Sequence, residues 1–363
     1  MKIVLDNIIF WLQRSGGGSV YWTELVKRFN DNDEIDVSFY DEKEECNNIF
    51  RKELRLKNIL IEDLLSLRIR RYLNFTKSIK AKSIFHSSYF RVSKSKNAIN
   101  VTTIHDLTSE KFDRGLSRFV NFQQKKHAIK YSKGIICISE NTKKDLFEFY
   151  PEAKQKNVKV IYNGISEDFF EINEDFEIHK VDNRFATLQD KKYILFVGRR
   201  NSYKNFPIVV KAAQQVMQDY KLVVIGEPFN EEEEQFVKSY LGSSYLLISK
   251  LENVKLNYLY NKAFALLYPS SYEGFGIPIA EAMKTHCPVI AANNSSIPEV
   301  AGNGAILYDD INEKHIVEGI YSLENNEFRK DLISKGFQQS TRFDWNTTFK
   351  EYLEFYKELY YEE

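Results

Sequence analysis

The chain has 363 residues, enough for two domains, and 43% of them are hydrophobic, enough to build real cores. Its 51 Lys and Arg against 51 Asp and Glu leave no net charge, which removes the general electrostatic case for a nucleic-acid binder. Cys46, Cys137 and Cys287 are widely separated and lack metal-ligand spacing, so they read as reduced thiols. The start, MKIVLDNIIFWLQRSGGG, has no cleavage-type site, and no run approaches the roughly 18 apolar residues of a membrane span. A cytoplasmic protein is expected.

KIVLD (2–6) predicts a strand, followed by Ser15-Gly16-Gly17-Gly18-Ser19 and a helical YWTELVKRF. Three successive glycines let a ligand come close to the backbone, but without the G-x-G-x-x-G spacing this is a weak dinucleotide signal, and a plain turn is the rival reading. Asp31-Asn32-Asp33 has the form of a D-x-D metal motif, yet it lies in a polar stretch after a helix and reads as a turn. From Arg51 to Lys82 ten basic residues face three acids, net +7, with Leu and Ile interleaved. That pattern suits a basic amphipathic helix lying on an anionic membrane, or more plainly a solvated helix face.

Further apolar runs at DVSFY, SIFHSS, AINVTTIHD and GIICIS alternate with helical stretches, the signature of a parallel α/β sheet. FHSSYFR (85–91) offers His86, Ser87, Ser88, Tyr89 and Arg91 at a strand end, and VTTIHDL (101–107) offers His105 and Asp106. A His–Asp neighbour pair suits acid–base or orienting work, although a hydrogen-bonded structural His is commoner. ISENT (138–142) reads as a helix N-cap at Ser139. VKVIYNG (158–164) reads as the last strand of this half, and the acidic, aperiodic 165–190 as a connection.

A second α/β run then starts at YILFVG (193–198) and continues through LVVIG, the acidic helix EEEEQFVKSYL, YLLIS, NVKLNYLYNKA, FALLYPS and PVIAA. The acidic run 231–234 reads as a solvated helix face. The end of the chain, TTFKEYLEFYKELYYEE, is a helical amphipathic segment. Two Rossmann-like halves result, and such folds bind ligands at the carboxyl ends of their strands.

Within FALLYPSSYEGFGIPIAEAM, residues Gly274, Gly276 and Pro278 exclude one continuous helix. They give a strand, a glycine loop and a helix from about Ile277, with Glu273 before the turn and Glu281 one turn inside. Free N–H groups at such a helix start suit a phosphate. Two carboxylates would repel a bare phosphate, but they accept hydrogen bonds from sugar or ribose hydroxyls. A nucleoside diphosphate carrying a sugar satisfies both demands. Arg199, Arg200 and Lys204, in the loop after YILFVG, are placed to neutralise a diphosphate.

With these elements in order, the chain resembles the retaining glycosyltransferases of family 4, with the GT-B fold. The resemblance rests on VGRRNSYKNF, LVVIGE, YPSSYEGFGIPIAEAM with its E-x7-E at Glu273 and Glu281, and PVIAANNSSIPEVAG. The N-terminal GGG, the HDL at His105 and the SENT-to-YNG stretch fit more loosely. It implies an α/β protein of two Rossmann-like domains facing a deep cleft: residues 1–168, a connection at 169–190, a nucleotide-sugar domain at 191–345, and a final helix, 346–363, crossing back to the first domain. It also implies roles. Glu273 binds donor-sugar hydroxyls near the reacting carbon; Gly274, Phe275, Gly276 and Ile277 hold phosphate with their backbone; Glu281 holds the ribose. Lys204 and either Arg199 or Arg200 hold the diphosphate. Gly17 and Gly18 approach donor or acceptor, His105 contacts the sugar, and Leu251, beside Lys250, lies near the base. The family usually has Gly where His286 stands, a position suited to a left-handed helix cap.

The implied reaction is retaining transfer of a hexose, with GDP-mannose the first donor and UDP-sugars next. The acceptor would be a glycan or lipid-linked glycan in cell-surface polysaccharide synthesis. No metal or other cofactor is required, because the cations and the helix end supply positive potential. The basic 51–82 region would touch the inner membrane face. The rivals are a nucleotide-sugar 2-epimerase of the same fold and a non-catalytic nucleotide-sugar-binding subunit.

Overall fold

The computed structural model describes residues 1–62, 67–172, 182–188, 191–200 and 202–362. It divides into two compact units, Met1–Gly164 with Trp345–Glu363, and Ile165–Asp344.

The first unit runs β1 (Lys2–Asp6), α1 (Ile9–Leu12), α2 (Gly17–Asp31), β2 (Asp36–Glu42), α3 (Ile49–Glu53), β3 (Ile59–Glu62), α4 (Leu67–Arg70), β4 (Ser83–Ser87), β5 (Ala98–Ile104), α5 (Thr108–Phe112), α6 (Gly115–Tyr131), β6 (Gly134–Cys137), α7 (Glu140–Phe149) and β7 (Asn157–Val160). Its seven strands are parallel in the order β3-β2-β1-β4-β5-β6-β7. Sequence order therefore reverses between β1 and β4, the point at which such sheets open a crevice at their carboxyl ends. The strands are short apolar runs such as SIFHS and GIIC, buried throughout, as a sheet covered on both faces requires.

The second unit runs β8 (Lys192–Val197), α8 (Phe206–Gln215), β9 (Tyr220–Ile225), α9 (Glu231–Leu241), β10 (Tyr245–Ile248), α10 (Asn253–Lys262), β11 (Ala265–Tyr268), α11 (Ile277–Lys284), β12 (Val289–Ala292), α12 (Ile297–Ala301), β13 (Ile306–Tyr308), α13 (Glu313–Ser322) and α14 (Asn326–Ser340). Its sheet has the order β10-β9-β8-β11-β12-β13, all parallel, and reverses between β8 and β11. Residues 165–172 and 183–188 belong to this unit, where Phe169 and Phe185 are buried.

The last helix, α15 (Trp345–Tyr361), packs in the first unit and buries Trp345, Tyr352, Phe355, Tyr356 and Leu359. Burying such side chains stabilises by about 1.5–3 kcal/mol each. A Cβ on Gly134 would lie 2.3 Å from Leu359 Cδ1, so β6 needs a glycine where this helix crosses it. The helix's hydroxyls enter a buried polar line. Tyr356 Oη meets His86 Nδ1 at 2.5 Å, Thr103 Oγ1 lies 3.0 Å from His86 Nε2 and 3.1 Å from Tyr352 Oη, and Tyr352 Oη meets Tyr21 Oη.

Three expectations need correction. The basic segment 51–82 is not one amphipathic helix: its described parts form α3, β3, α4 and turns, and Arg70 is buried in an ion pair with Glu42. The side chains of His86, Ser87 and Arg91 do not face a crevice but are buried, His86 in the line just given and Arg91 among carboxylates. Gly17 and Gly18 do not form the plain turn that rivalled a ligand-facing backbone; they are the first two residues of α2.

Candidate functional site

The strand–loop–helix unit at 264–284 forms as its glycines dictate. Gly276 takes φ +98°, a left-handed conformation open to glycine, and turns the chain into α11, with Pro278 in the first turn. No N-cap side chain bonds the first-turn N–H groups of α11, so the N-cap offers them no competing side-chain acceptor. The loop is held from below: Glu273 N donates to Ser295 Oγ at 2.8 Å, and Ser296 Oγ lies 2.9 Å from the carbonyls of both Glu273 and Phe275. Phe275 is buried against Phe343.

The loop after β8 is tied to this one because β8 and β11 are neighbours. Ser271 N donates to Tyr203 O at 2.8 Å, and Asn205 Nδ2 to Pro269 O at 2.9 Å. The 3-10 turn Ser202–Lys204 thereby delivers Lys204 to Glu273, with which it forms an ion pair. Lys204 Nζ also lies 3.3 Å from Tyr268 Oη, whose own ionisation is pushed far up by burial and the nearby Glu273. A cation, a carboxylate and a helix N-terminus thus gather at the point where strand order reverses. Anions and hydroxyl groups are the ligands such a set can bind.

Glu281, one turn into α11, accepts from Tyr260 Oη at 3.1 Å, and burial pushes its carboxyl up to about 8. It is therefore mostly protonated at neutral pH.

The structure separates the two arginines that the sequence left as alternatives. Arg200 makes two hydrogen bonds to Glu233, 2.9 Å from Nε and 3.0 Å from Nη2, and donates to Pro228 O. Its guanidinium lies 4.7 Å from the Phe229 ring centroid. Glu233 also closes the capping box of α9 with Asn230, so this member of the acidic run is a structural anchor rather than a solvated charge. Its carboxyl is held low, chiefly by Arg200. Arg199 is exposed, and no partner engages it among the described residues.

Leu251 is half-buried in the loop after edge strand β10, away from the reversal point, and Lys250 beside it takes φ +55°. His286 takes φ +61°, the left-handed cap suited to glycine, with Nδ1 3.1 Å from a Glu171 carboxylate oxygen.

In the first unit, His105 is half-buried after β5, and Tyr21 stands edge-on to it with ring centroids 4.6 Å apart. Tyr21 is one turn beyond Gly17 and Gly18, so the start of α2 and His105 are neighbours. Burial lowers the His105 imidazolium to about 4, which leaves the ring neutral at pH 7. Asp106 Oδ1 accepts from the backbone N of Thr108, the first residue of α5, at 2.9 Å. Sequence reasoning missed Tyr260, Tyr268, Ser295, Ser296 and Tyr21. Only Tyr268 carried a signal, as the last residue of the strand before the glycine loop.

Among the described residues one carboxylate cluster converges, Asp6, Glu42 and Glu62, and the guanidinium groups of Arg70 and Arg91 lie within it. Asp31-Asn32-Asp33 ends α2, and Asp33 pairs with Lys57.

Residues 178–339 match the family model described as Glycosyl transferases group 1, and residues 15–169 match Glycosyltransferase Family 4. Over 178 residues the chain is 30% identical to O-antigen chain mannosyltransferase B of Escherichia coli, covering 46% of each protein. Over 248 residues it is 27% identical to an O-antigen chain mannosyltransferase of Salmonella typhimurium, covering 67% of this chain and 65% of that one. These matches thus span about half and just under two thirds of the two relatives. Among solved structures, sucrose-phosphate synthase of Thermosynechococcus elongatus superposes with TM-score 0.76 at 16% identity over 99% of both chains. Anabaena HepE, solved with UDP and glucose, superposes with TM-score 0.74 at 16% identity over 98% of this chain and 99% of that one. Two parallel-sheet Rossmann-like units of this kind constitute the GT-B fold.

Proposed function

The chain belongs to the glycosyltransferases of family 4, with a group 1 domain as its second half, and from that premise we propose that it transfers a hexose, mannose first, from a nucleoside diphosphate sugar to a glycan or lipid-linked glycan acceptor. The mannosyl reading is supported by the names of the two relatives, and a nucleotide-sugar donor by the UDP-bound neighbour. The observation that carries the proposal is the Lys204–Glu273 pair at the β8/β11 reversal, beside the α11 N-terminus.

In the reaction the bond between the sugar C1 and the diphosphate oxygen breaks. The acceptor hydroxyl oxygen bonds to C1 on the same face, and its proton passes to the leaving phosphate. Lys204, Arg199 and the first-turn N–H groups of α11 stabilise the charge that grows on the diphosphate, so the reaction proceeds without a metal ion. We assign the second cation to Arg199 because Arg200 is engaged by Glu233. Glu273 accepts from the sugar hydroxyls and stabilises the positive charge near C1. Neutral His105 can donate or accept a hydrogen bond at the sugar but carries no charge to repel the oxocarbenium-like centre.

Thermal shift with GDP, UDP, ADP and dTDP and their sugar conjugates, in EDTA, tests the donor site. One base should raise Tm, and Lys204→Ala should lose the shift. No shift with any nucleotide overturns the proposal. NMR of the new glycoside then reads its anomeric configuration, and inversion would refute the retaining step. An acceptor-free arm that converts the donor to its 2-epimer would favour the epimerase reading.

Glu281 gives a second expectation. Ribose hydroxyls donating to its carboxylate favour the ionised form, whereas the free protein holds it largely protonated below about 8. Nucleotide binding at pH 7 should therefore release most of a proton and tighten as pH rises toward 8. Calorimetry in phosphate and in Tris, whose ionisation enthalpies differ, reads this release, and Glu281→Gln should abolish it. Equal binding heats in the two buffers would contradict the ribose role.

A further inference from the structure

We propose that the corner formed by α5 and the first half of α6 docks this protein on an anionic lipid surface. The inference rests on the reading above only in that a lipid-linked acceptor gives it a purpose; the binding belongs to the face itself. Leu116 is 77% exposed, Phe119 58% and Phe112 43%, three large apolar side chains on one corner. The helix is anchored only beyond them, where Gln124, Lys125, Ala128 and Ile129 are buried. Its exposed stripe runs Leu116, Phe119, Gln123, Lys126, Lys130, which are positions i, i+3, i+7, i+10 and i+14. It starts apolar and ends cationic.

Gln124 Nε2 donates to Arg71 O at 2.5 Å and His127 Nε2 lies 2.7 Å from Asn74 Oδ1, which brings exposed Tyr72 and Leu73 alongside α6. Large apolar side chains left exposed together, as at Phe112, Leu116 and Phe119, mark an interaction surface.

Charge decides the occupant. The 17 residues of α6 contain no acid. Arg114, Arg118, Lys126 and Lys130 are exposed around the apolar corner, while Lys125 and Lys111 are matched by Glu110 and Asp145. Asp113 is the one other acid on α5, α6 and the residues joining them. Apolar side chains set among unmatched cations fit the acyl boundary and anionic headgroups of a bilayer. A second copy would set like charges against each other.

Co-sedimentation with vesicles of 30% phosphatidylglycerol in phosphatidylethanolamine, at low salt and without donor, tests this. The wild type should pellet with these vesicles, not with pure phosphatidylcholine, and detach as salt rises. Each Lys or Arg near an anionic surface contributes about fivefold to partitioning. Arg114→Ala with Arg118→Ala should therefore weaken binding about twentyfold, and Leu116→Ser with Phe119→Ser should weaken it at least tenfold. Exposed sites leave Tm and the nucleotide-induced shift unchanged, so folding and the donor site are read separately. No pelleting of the wild type, or undiminished pelleting of both variants, overturns the proposal. A concentration-dependent dimer that the Leu116/Phe119 variant disperses would also overturn it, by assigning the face to a second copy.

Discussion

Lys204→Ala is expected to lower kcat by about 10²–10³-fold, the usual effect of removing one preorganised charge donor from a developing anion. The lysine is pre-aimed. Its ammonium is half-enclosed, held by the Glu273 carboxylate and the Tyr268 hydroxyl, and the turn that carries it is stitched to the β11 loop by two hydrogen bonds. No reorganisation is needed as the diphosphate departs. Lys204 also neutralises Glu273, so the alanine variant leaves that carboxylate without its cation, and affinity for the anionic donor falls as well. Two controls separate these effects. Lys204→Arg keeps the charge and should recover part of kcat. Glu273→Gln alone should be severely impaired, and the double variant Lys204→Ala/Glu273→Gln should be much less impaired than the product of the two single losses, because the pair acts as a unit. Steady-state kinetics on the donor found by thermal shift decides it. A kcat within tenfold of wild type would remove Lys204 from the catalytic set.

How legible this site was in the sequence depends on range. The strand, glycine loop and helix at 264–284 could be read directly because Gly276 and Pro278 act locally: one permits the left-handed turn and the other starts the helix. Most strands of both sheets were legible for the same reason, as short apolar runs between turn residues; β3 lay hidden in the segment read as a helix, and β13 was not read at all. The left-handed backbone at His286 was legible too, from the place where a glycine was expected. The Lys204–Glu273 pair joins residues 69 apart, and it forms because β8 and β11 are sheet neighbours, an order that no local pattern states. The different settings of Arg199 and Arg200 were illegible because Glu233, which engages Arg200, lies inside a run that reads as solvent-facing charge. The 51–82 segment misled in the converse way. Counting its charges ignores partners elsewhere in the chain, and one of them, Arg70, is buried against Glu42. The exposed apolar corner of α6 was invisible because its pattern looks like any amphipathic helix until the neighbours that fail to cover it are known.

The buried ions of the first sheet set the second large expectation, a loss of stability of about 3–5 kcal/mol in Arg91→Met, the usual result of breaking a buried ion pair by removing one partner. Asp6, Glu42 and Glu62 end three adjacent strands, β1, β2 and β3, so their carboxylates converge at one edge of the sheet. Arg91, wholly buried, donates to Asp6 at 3.0 Å and to both oxygens of Glu62 at 2.9 and 2.7 Å, and Arg70 pairs with Glu42. Three acids thus share two cations. Burial raises the Asp6 carboxyl above its ordinary value, with Arg91 opposing the rise and Glu62 adding to it. Methionine fills much of the arginine's volume but leaves two carboxylates facing one another without a counter-ion. At roughly 2–4 °C per kcal/mol for a unit of this size, Tm should fall by about 10 °C. Because the uncompensated carboxylates would take up protons, the deficit should shrink as pH is lowered from 8 toward 5, the direction expected when the folded state binds more protons than the unfolded one. Adding Asp6→Asn and Glu62→Gln should restore much of the loss, since neutral partners need no cation. An Arg91→Met protein that melts within 2 °C of wild type at pH 8 would show that these charges are already neutralised by protons and that the arginine is not what holds the sheet edge together.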